Sequence, residues 1–440
     1  MSLDRRDFLQ TVGGAVLMSY SRAPVGGFDS PAWPWRDRFP ALDQPINGHP
    51  LVYLDSAATT QRPVDVIDAV AEFSRRDNAN PSGTLHTLAR RAHEHLEGAR
   101  RTVAEFIGAG DPGEVIFTRG TTEAINLVAA AWGEANLRPG DRILLGLAEH
   151  SSNMVPWQLA ARRSGATLEY FGVGDDGRVR LDELDAGLAS RPRLVAFAHV
   201  SNVLGLINPV KDMCARARAA GATVLVDAAQ SVPHFPVDVG DLGCDFLAFS
   251  GHKMLGPMGV GVLWGRRELL DAMPPYQGGS NMAHGVETDP AGLEAHLADG
   301  AHKFGAGTPN VSGPVGLAAA IRFLRRVGLG ALREHEQTIT HYALARLEEV
   351  PGLRLLGRGD PGDRISVFSF TMEGRPGPEI AVALDRQGIA ARGGDLASLP
   401  LLRRLGTDTA ARASAYLYTT RADIDRLGAA LDRLARERRG

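Results

Sequence analysis

The sequence predicts an α/β fold: a large, mostly parallel sheet with helices on both faces, followed by a smaller α+β C-terminal domain. Three observations predict it. Continuous apolar runs, among them Arg142-Ile-Leu-Leu145, Leu194-Val-Ala-Phe197, Val224-Leu-Val226 and Phe246-Leu-Ala-Phe249, alternate with stretches of helical apolar spacing. Such runs are strands buried on both faces, which is how parallel sheets read. Beyond a glycine-rich region the pattern changes to a helical pair and then short strands. At 440 residues the chain is long enough for two cores.

The arm at 25–47 is rich in Pro, Trp and charge and reads as irregular. Helical spacing follows at Val64–Arg76 and His86–Ile107. Glu114–Phe117 is a short strand leading into a helix from Thr122 to Trp132, and helices at Met154–Arg163 and Val210–Ala220 separate the next strands. Gly278 to Gly307 reads as a loop region. The helical pair is Val315–Val327 and Ala331–Val350, with short strands at Leu353–Leu356 and Ile365–Phe370 and a helix from Arg421 onward. The large domain is expected at 48–320 and the small one at 321–440.

Composition bounds the function. Apolar residues make up 44% and charged residues 22%, close to globular averages. A net charge of -3 gives no reason to expect nucleic acid or an anionic membrane as partner. Two cysteines, Cys214 and Cys244, have no neighbour at metal-ligand spacing, so no metal site is expected and both read as structural thiols. Asp4-Arg5-Arg6-Asp7-Phe8-Leu9, followed by the apolar run to Met18, resembles a twin-arginine signal, placed here at 1–24. It makes the periplasm the expected compartment, with the cytoplasm as the alternative. No other apolar run is long enough to span a bilayer, so no stable membrane insertion is expected.

Only three of the 48 basic side chains are lysines: Lys211, Lys253 and Lys303. Arginine serves wherever a solvated cation is enough, but only an amine can lose its proton and attack a carbonyl. Lys253 ends the run Ser250-Gly-His-Lys253, just past a buried strand, and Asp227 ends the strand before it. A strand-end lysine and a strand-end carboxylate are what pyridoxal phosphate (PLP) needs, as covalent partner and as counter-charge for its ring nitrogen. Gly120-Thr121-Thr122 opens a helix with free N–H groups and hydroxyls suited to a phosphate, which Ser250 and His252 can help enclose. His150 can stack on a ring. Gln230 and Asn202 can reach its oxygen or the substrate, and Arg412 and Arg392 are candidates for a substrate carboxylate. All of these except the two arginines fall at strand ends, where α/β sheets bind ligands.

Six segments carry a resemblance: Leu54-Asp-Ser-Ala-Ala-Thr59, Arg119-Gly-Thr-Thr-Glu-Ala-Ile-Asn126, Glu149-His150, Val226-Asp-Ala-Ala-Gln230, Ser250-Gly-His-Lys253 and Ala306-Gly-Thr-Pro-Asn310. In this order they resemble the class V aminotransferases of PLP fold-type I, with its seven-stranded sheet, in the cysteine desulfurase and isopenicillin N epimerase-like branch. The resemblance implies that Lys253 forms the Schiff base, Asp227 pairs with the ring nitrogen, His150 stacks on the ring and Gln230 meets its oxygen. It also implies that Thr121, Thr122, Ser250 and His252 bind phosphate, that Arg412 takes the substrate carboxylate near Ala57, and that Thr308 reaches in from a second subunit of a homodimer.

One departure bears on function. Desulfurases of this branch carry a sulfur-accepting cysteine in Arg-x-Gly-His-His-Cys-Ala-x-Pro; here the run is Arg392-Gly-Gly-Asp395-Leu396-Ala397-Ser398-Leu399-Pro400. A methyl group cannot attack sulfur. The expectation is therefore an aminotransferase-like enzyme, not a cysteine desulfurase, acting on an amino acid or a peptide-derived metabolite. The alternatives are a C–S lyase or an epimerase of the same fold, with Lys253 as the general base in each.

Overall fold

The computed structural model describes residues 33–289, 292–357 and 359–437, so the export segment expected at 1–24 lies outside the described residues. The large sheet has seven strands: β1 Val115–Thr118, β2 Arg142–Gly146, β3 Thr167–Phe171, β4 Leu194–Ala198, β5 Thr223–Asp227, β6 Phe246–Ser250 and β7 Gly261–Gly265. Their order across the sheet is β1-β7-β6-β5-β4-β2-β3. Every neighbouring pair from β6 to β3 is parallel, and β7 runs against both β6 and β1. Six strands therefore share one direction.

The continuous apolar runs explain this arrangement. Residues 143–145, 194–197, 224–226 and 246–249 are at most 1% exposed, so both faces of the central strands are covered. Each such side chain contributes about 1.5–3 kcal/mol by leaving water, which outweighs any local preference. Helices Val64–Arg76, Thr87–Phe106 and Ser312–Val327 pack against one another. The helix expected at 122–132 begins at Thr121 and reaches Asn136 through a π-turn at Val128–Trp132.

The smaller sheet is antiparallel. Its strands are β10 Leu353–Leu355, β11 Val367–Met372, β12 Arg392–Gly394 and β13 Ala410–Ser414, in the order β10-β11-β13-β12. Helices Leu329–Glu348 and Arg421–Arg436 share its core through Ile339, Leu347, Phe368, Phe370, Leu427 and Leu431. The chain before the large sheet joins here too, since Val52–Tyr53 pairs in parallel with Ile389–Ala390. The arm is less irregular than its composition suggests. It forms two 3-10 turns, and Phe39 between them is buried edge-on against Tyr418, with ring centroids 4.8 Å apart.

The 278–307 region is not a plain loop. It carries a hairpin, β8 Ala283–Asp289 and β9 Gly292–Leu297. Most of its described side chains are exposed, so no buried apolar stripe marked it as paired strands.

Candidate active site

Strands that share a direction bring their carboxyl ends to one edge of the sheet. Thr121 and Thr122 follow β1, His150 follows β2, Asn202 follows β4, Asp227 ends β5 and Ser250 ends β6. With Gln230, His252, Lys253 and Ala57 they line one cavity of about 440 Å³. Its far wall comes from the smaller sheet and the segment after β12: Arg392, Asp395, Leu396, Ala397 and Arg412.

Lys253 sits on a 3-10 turn directly after β6. Burial pushes its amine down to about 8, although Asp227 pulls the other way. Asp227 is 6% exposed; burial raises its carboxyl, opposed by Lys253 and by the Ala229 N–H, which donates to Oδ1 at 2.9 Å. Burial and the nearby Lys253 hold the His150 imidazole down to about 4, so it is neutral at physiological pH. Its Nδ1 accepts from the Ser152 N–H at 3.1 Å, which leaves the proton of the neutral ring on Nε2.

The turn after β1 forms a hydroxyl-lined cradle. The Thr121 N–H donates to Ser250 Oγ at 2.8 Å, and the two hydroxyls lie 2.6 Å apart. Thr122 Oγ1 and Ser152 Oγ are 2.8 Å apart. His252 Nδ1 is buried without a partner among the described residues. The cradle closes only because β7 begins with glycine: a Cβ on Gly261 would stand 2.4 Å from the Gly120 Cα.

Arg392 and Arg412 are cross-strand partners on β12 and β13. Asp55 serves both, at 2.7 Å from Arg392 Nη2 and 3.4 Å from Arg412 Nη2. Arg412 is 3% exposed, donates from Nη1 to the Asn202 carbonyl at 2.9 Å, and has no partner at Nε among the described residues. Burial pushes its guanidinium down to about 10, while pairing with Asp55 raises that of Arg392. A buried arginine with one open N–H is suited to an incoming carboxylate.

The segment 395–398 is tied to the opposite wall. Ser151 N–H donates to the Ala397 carbonyl at 2.7 Å, Asn202 Nδ2 to the Leu396 carbonyl at 2.9 Å, and Ser398 Oγ to the Glu149 carbonyl at 3.2 Å. Leu396 and Ala397 both hold left-handed backbone, at φ 52° and 54°. Asp395 supports that bend by accepting from the Ala397 N–H at 3.1 Å.

The cavity thus gathers every residue singled out from sequence except Thr308. Thr308 lies in the exposed run after the hairpin, where Asn80 Nδ2 donates to its hydroxyl at 3.3 Å. Both gathered side-chain amides are already engaged: Asn202 holds Leu396, and Gln230 Nε2 donates to the Ala57 carbonyl at 2.7 Å. Sequence reasoning gave no separate role to Glu149 or Asp55. Glu149 is buried, accepts from Asn153 Nδ2 at 2.7 Å and from Ala198 N–H at 3.0 Å, and fixes the turn bearing His150. Burial raises its carboxyl to about 8. Both residues stood inside the quoted motifs, but a carboxylate's partners cannot be read from one strand.

The donor set fits PLP. A depressed amine beside a buried carboxylate, a neutral imidazole, and hydroxyls with an unpartnered imidazole nitrogen match an aldehyde, a pyridine ring and a phosphate.

Comparison with known proteins agrees with this site. The class V aminotransferase family profile matches residues 52–427. A probable cysteine desulfurase from Halalkalibacterium halodurans is 46% identical over 90% of this chain and 96% of its own. A cysteine desulfurase from Pectobacterium atrosepticum is 44% identical over 91% and 97%. Among solved structures, the apo cysteine desulfurase of Thermococcus onnurineus NA1 superimposes with a TM-score of 0.85 at 33% identity, covering 92% of this chain and 98% of that one. A cysteine desulfurase from Escherichia coli gives 0.82 at 36%, covering 91% and 97%.

These relatives overturn the expectation of an aminotransferase-like enzyme that is not a cysteine desulfurase, together with its lyase and epimerase alternatives. That expectation rested on the 392–400 run, above all on Ala397 and on Asp395-Leu396 beside it. One stretch of the wall facing Lys253 outweighed the rest of the cavity. The chain belongs to the class V aminotransferase family, whose enzymes use PLP.

Proposed function

We propose that this protein is a PLP-dependent cysteine desulfurase. The observation that carries the reading is the joint lining of one cavity by Lys253, Asp227 and Arg412, in a chain whose relatives bear that name. Asp227 would hold the proton on the ring nitrogen of PLP, His150 would cover a ring face, and Thr121, Thr122, Ser250 and His252 would hold the phosphate. Lys253 would carry the group covalently at rest. Once bound, PLP supplies an electron sink for charge developing on the amino acid. The residues do the rest. Arg412 takes the cysteine carboxylate and so turns the Cα–H bond towards Lys253. Nζ, freed when the substrate amine takes its place on the cofactor, would remove that proton, because an amine held near 8 is a base close to neutral pH. Adding cysteine to the PLP-loaded protein should produce alanine, and Lys253→Ala should produce none. Alanine from the variant at the parent rate would refute the assignment.

We further propose a homodimer and export. The dimer is supported by exposed Thr308, which shares a second cavity of about 780 Å³ with Tyr276 and Gln277 on the same chain. Sedimentation should show two copies, and a fully active monomer would refute it. Export is supported by Arg5-Arg6 and the apolar run after them. Changing both to lysine should keep the protein in the cytoplasm; equal periplasmic levels would contradict this.

A further inference from the structure

Taking sulfur from cysteine while leaving alanine requires a nucleophile, and the competent one is a thiolate. The chain has two thiols, Cys214 and Cys244. They are 1% and 0% exposed, one on the helix Val210–Ala219 and the other just before β6, and neither lines the cavity. Burial pushes the Cys214 thiol up to about 12 and raises Cys244 well above its ordinary value, which keeps both protonated. The wall that faces Lys253 offers the methyl of Ala397, and its bend is pinned by the bonds from Ser151 and Asn202.

On the reading of the protein as a cysteine desulfurase, we infer that the sulfur acceptor is a diffusible low-molecular-weight thiol that enters the cavity beside Ala397. Arg392 and Arg412 line this part of the cavity, paired with Asp55 and facing Asp395, and a guanidinium beside the entering sulfur favours its thiolate form. A thiol on another protein would have to bring its backbone past the pinned 395–398 segment, whereas a small molecule need not. The step balances without an oxidant. The acceptor thiolate attacks the cysteine sulfur, an S–S bond forms and the Cβ–S bond breaks. The bonding pair goes to Cβ, which takes a proton to become the methyl of alanine. The acceptor leaves as its persulfide, so RSH and cysteine give RSSH and alanine.

The test uses PLP-loaded full-length protein in excess over cysteine, so that cysteine cannot serve as its own acceptor. Parallel reactions contain no addition, dithiothreitol, glutathione or reduced thioredoxin. Alanine, pyruvate and small-thiol persulfide are quantified after rapid alkylation, and the intact mass of the chain is recorded. The inference expects alanine equal to the sum of small-thiol persulfide and the sulfide that a second thiol releases from it, at a rate that rises at least tenfold with either small thiol, and no added sulfur on the chain. The Cys214→Ala, Cys244→Ala variant should keep that rate within twofold. Independently of turnover, a thiol reagent should count no reactive cysteine in the native parent and both after denaturation.

Alanine formed equally fast without thiol, or sulfur found on Cys214 or Cys244, would overturn the inference while leaving the desulfurase reading in place. Dependence on thioredoxin alone would overturn it too. Pyruvate instead of alanine in every reaction, or no turnover at all, would overturn the desulfurase reading itself.

Discussion

Two walls face each other across the cavity, and they are held in different ways. The sheet-edge wall places Asp227, Ser250 and Lys253 at the ends of strands whose apolar residues are almost wholly excluded from water. The smaller-sheet wall places Arg392, Arg412 and Ala397 through a shared ion pair at Asp55 and a bend with two left-handed residues. A group on a buried strand cannot shift without disturbing the core. A group on a pinned bend can change its chemistry while the bend survives. The difference teaches where this chain keeps its PLP site and where, on the proposed desulfurase reading, it is free to alter what happens to the sulfur.

The largest expected effect breaks the first wall. Lys253→Ala should lower alanine formation by roughly 10³-fold or more, since a positioned base contributes about 10²–10⁴-fold. Borohydride should no longer fix PLP to the peptide containing residue 253. Fixation at Lys211 or Lys303 instead would show that the sheet edge has been misread.

Arg412→Ala tests the second wall. A hydrogen bond to a charged group contributes about 1.5–3 kcal/mol, so KM for cysteine should rise roughly 10- to 100-fold, with a smaller change in kcat. An unchanged KM would remove Arg412 from the substrate carboxylate. Gly261→Ala sharpens the contrast between the walls, because the new methyl would press on Gly120 and force the phosphate cradle open. Overpacking of this kind costs about 1–3 kcal/mol. PLP affinity, measured by titration of the apo protein, should fall roughly tenfold. Ala397→Ser should leave that affinity alone. Equal effects of the two changes would erase the distinction.

The smallest effect is on pH dependence. The folded protein holds His150 near 4, while the unfolded chain keeps the ordinary 6.5. Between those values the unfolded state binds the proton more readily, so stability rises with pH from about 4 to 6.5 and is lost on acidification. Burial holds His199 and His252 near 4 as well, so His150→Asn should lessen the slope of melting temperature across this window without abolishing it. An identical slope in the variant would mean that His150 is not held neutral by burial.

Much of the sheet-edge wall was legible in the sequence. Buried parallel strands leave continuous apolar runs, and the residues just after them fall at one edge by topology alone. That is why Lys253, Asp227, His150 and Thr121 could be placed together. The smaller-sheet wall was less legible. Arg392 and Arg412 meet through a strand pairing between positions 20 residues apart, and Asp55 reaches them from the other end of the chain. The engagement of Asn202 by Leu396 depends on a bend that no periodicity announces. The functional expectation failed for a related reason. It read position 397 as deciding the reaction, although the cavity shows only that this wall presents no thiol of its own.

The most direct test of the central claim follows cysteine labelled with carbon-13 at Cβ, by NMR, in the presence of PLP-loaded protein and excess dithiothreitol. The account predicts that the label moves into the methyl group of alanine, and that Lys253→Ala stops this transfer. Label collecting in pyruvate, or remaining in cysteine, would contradict it.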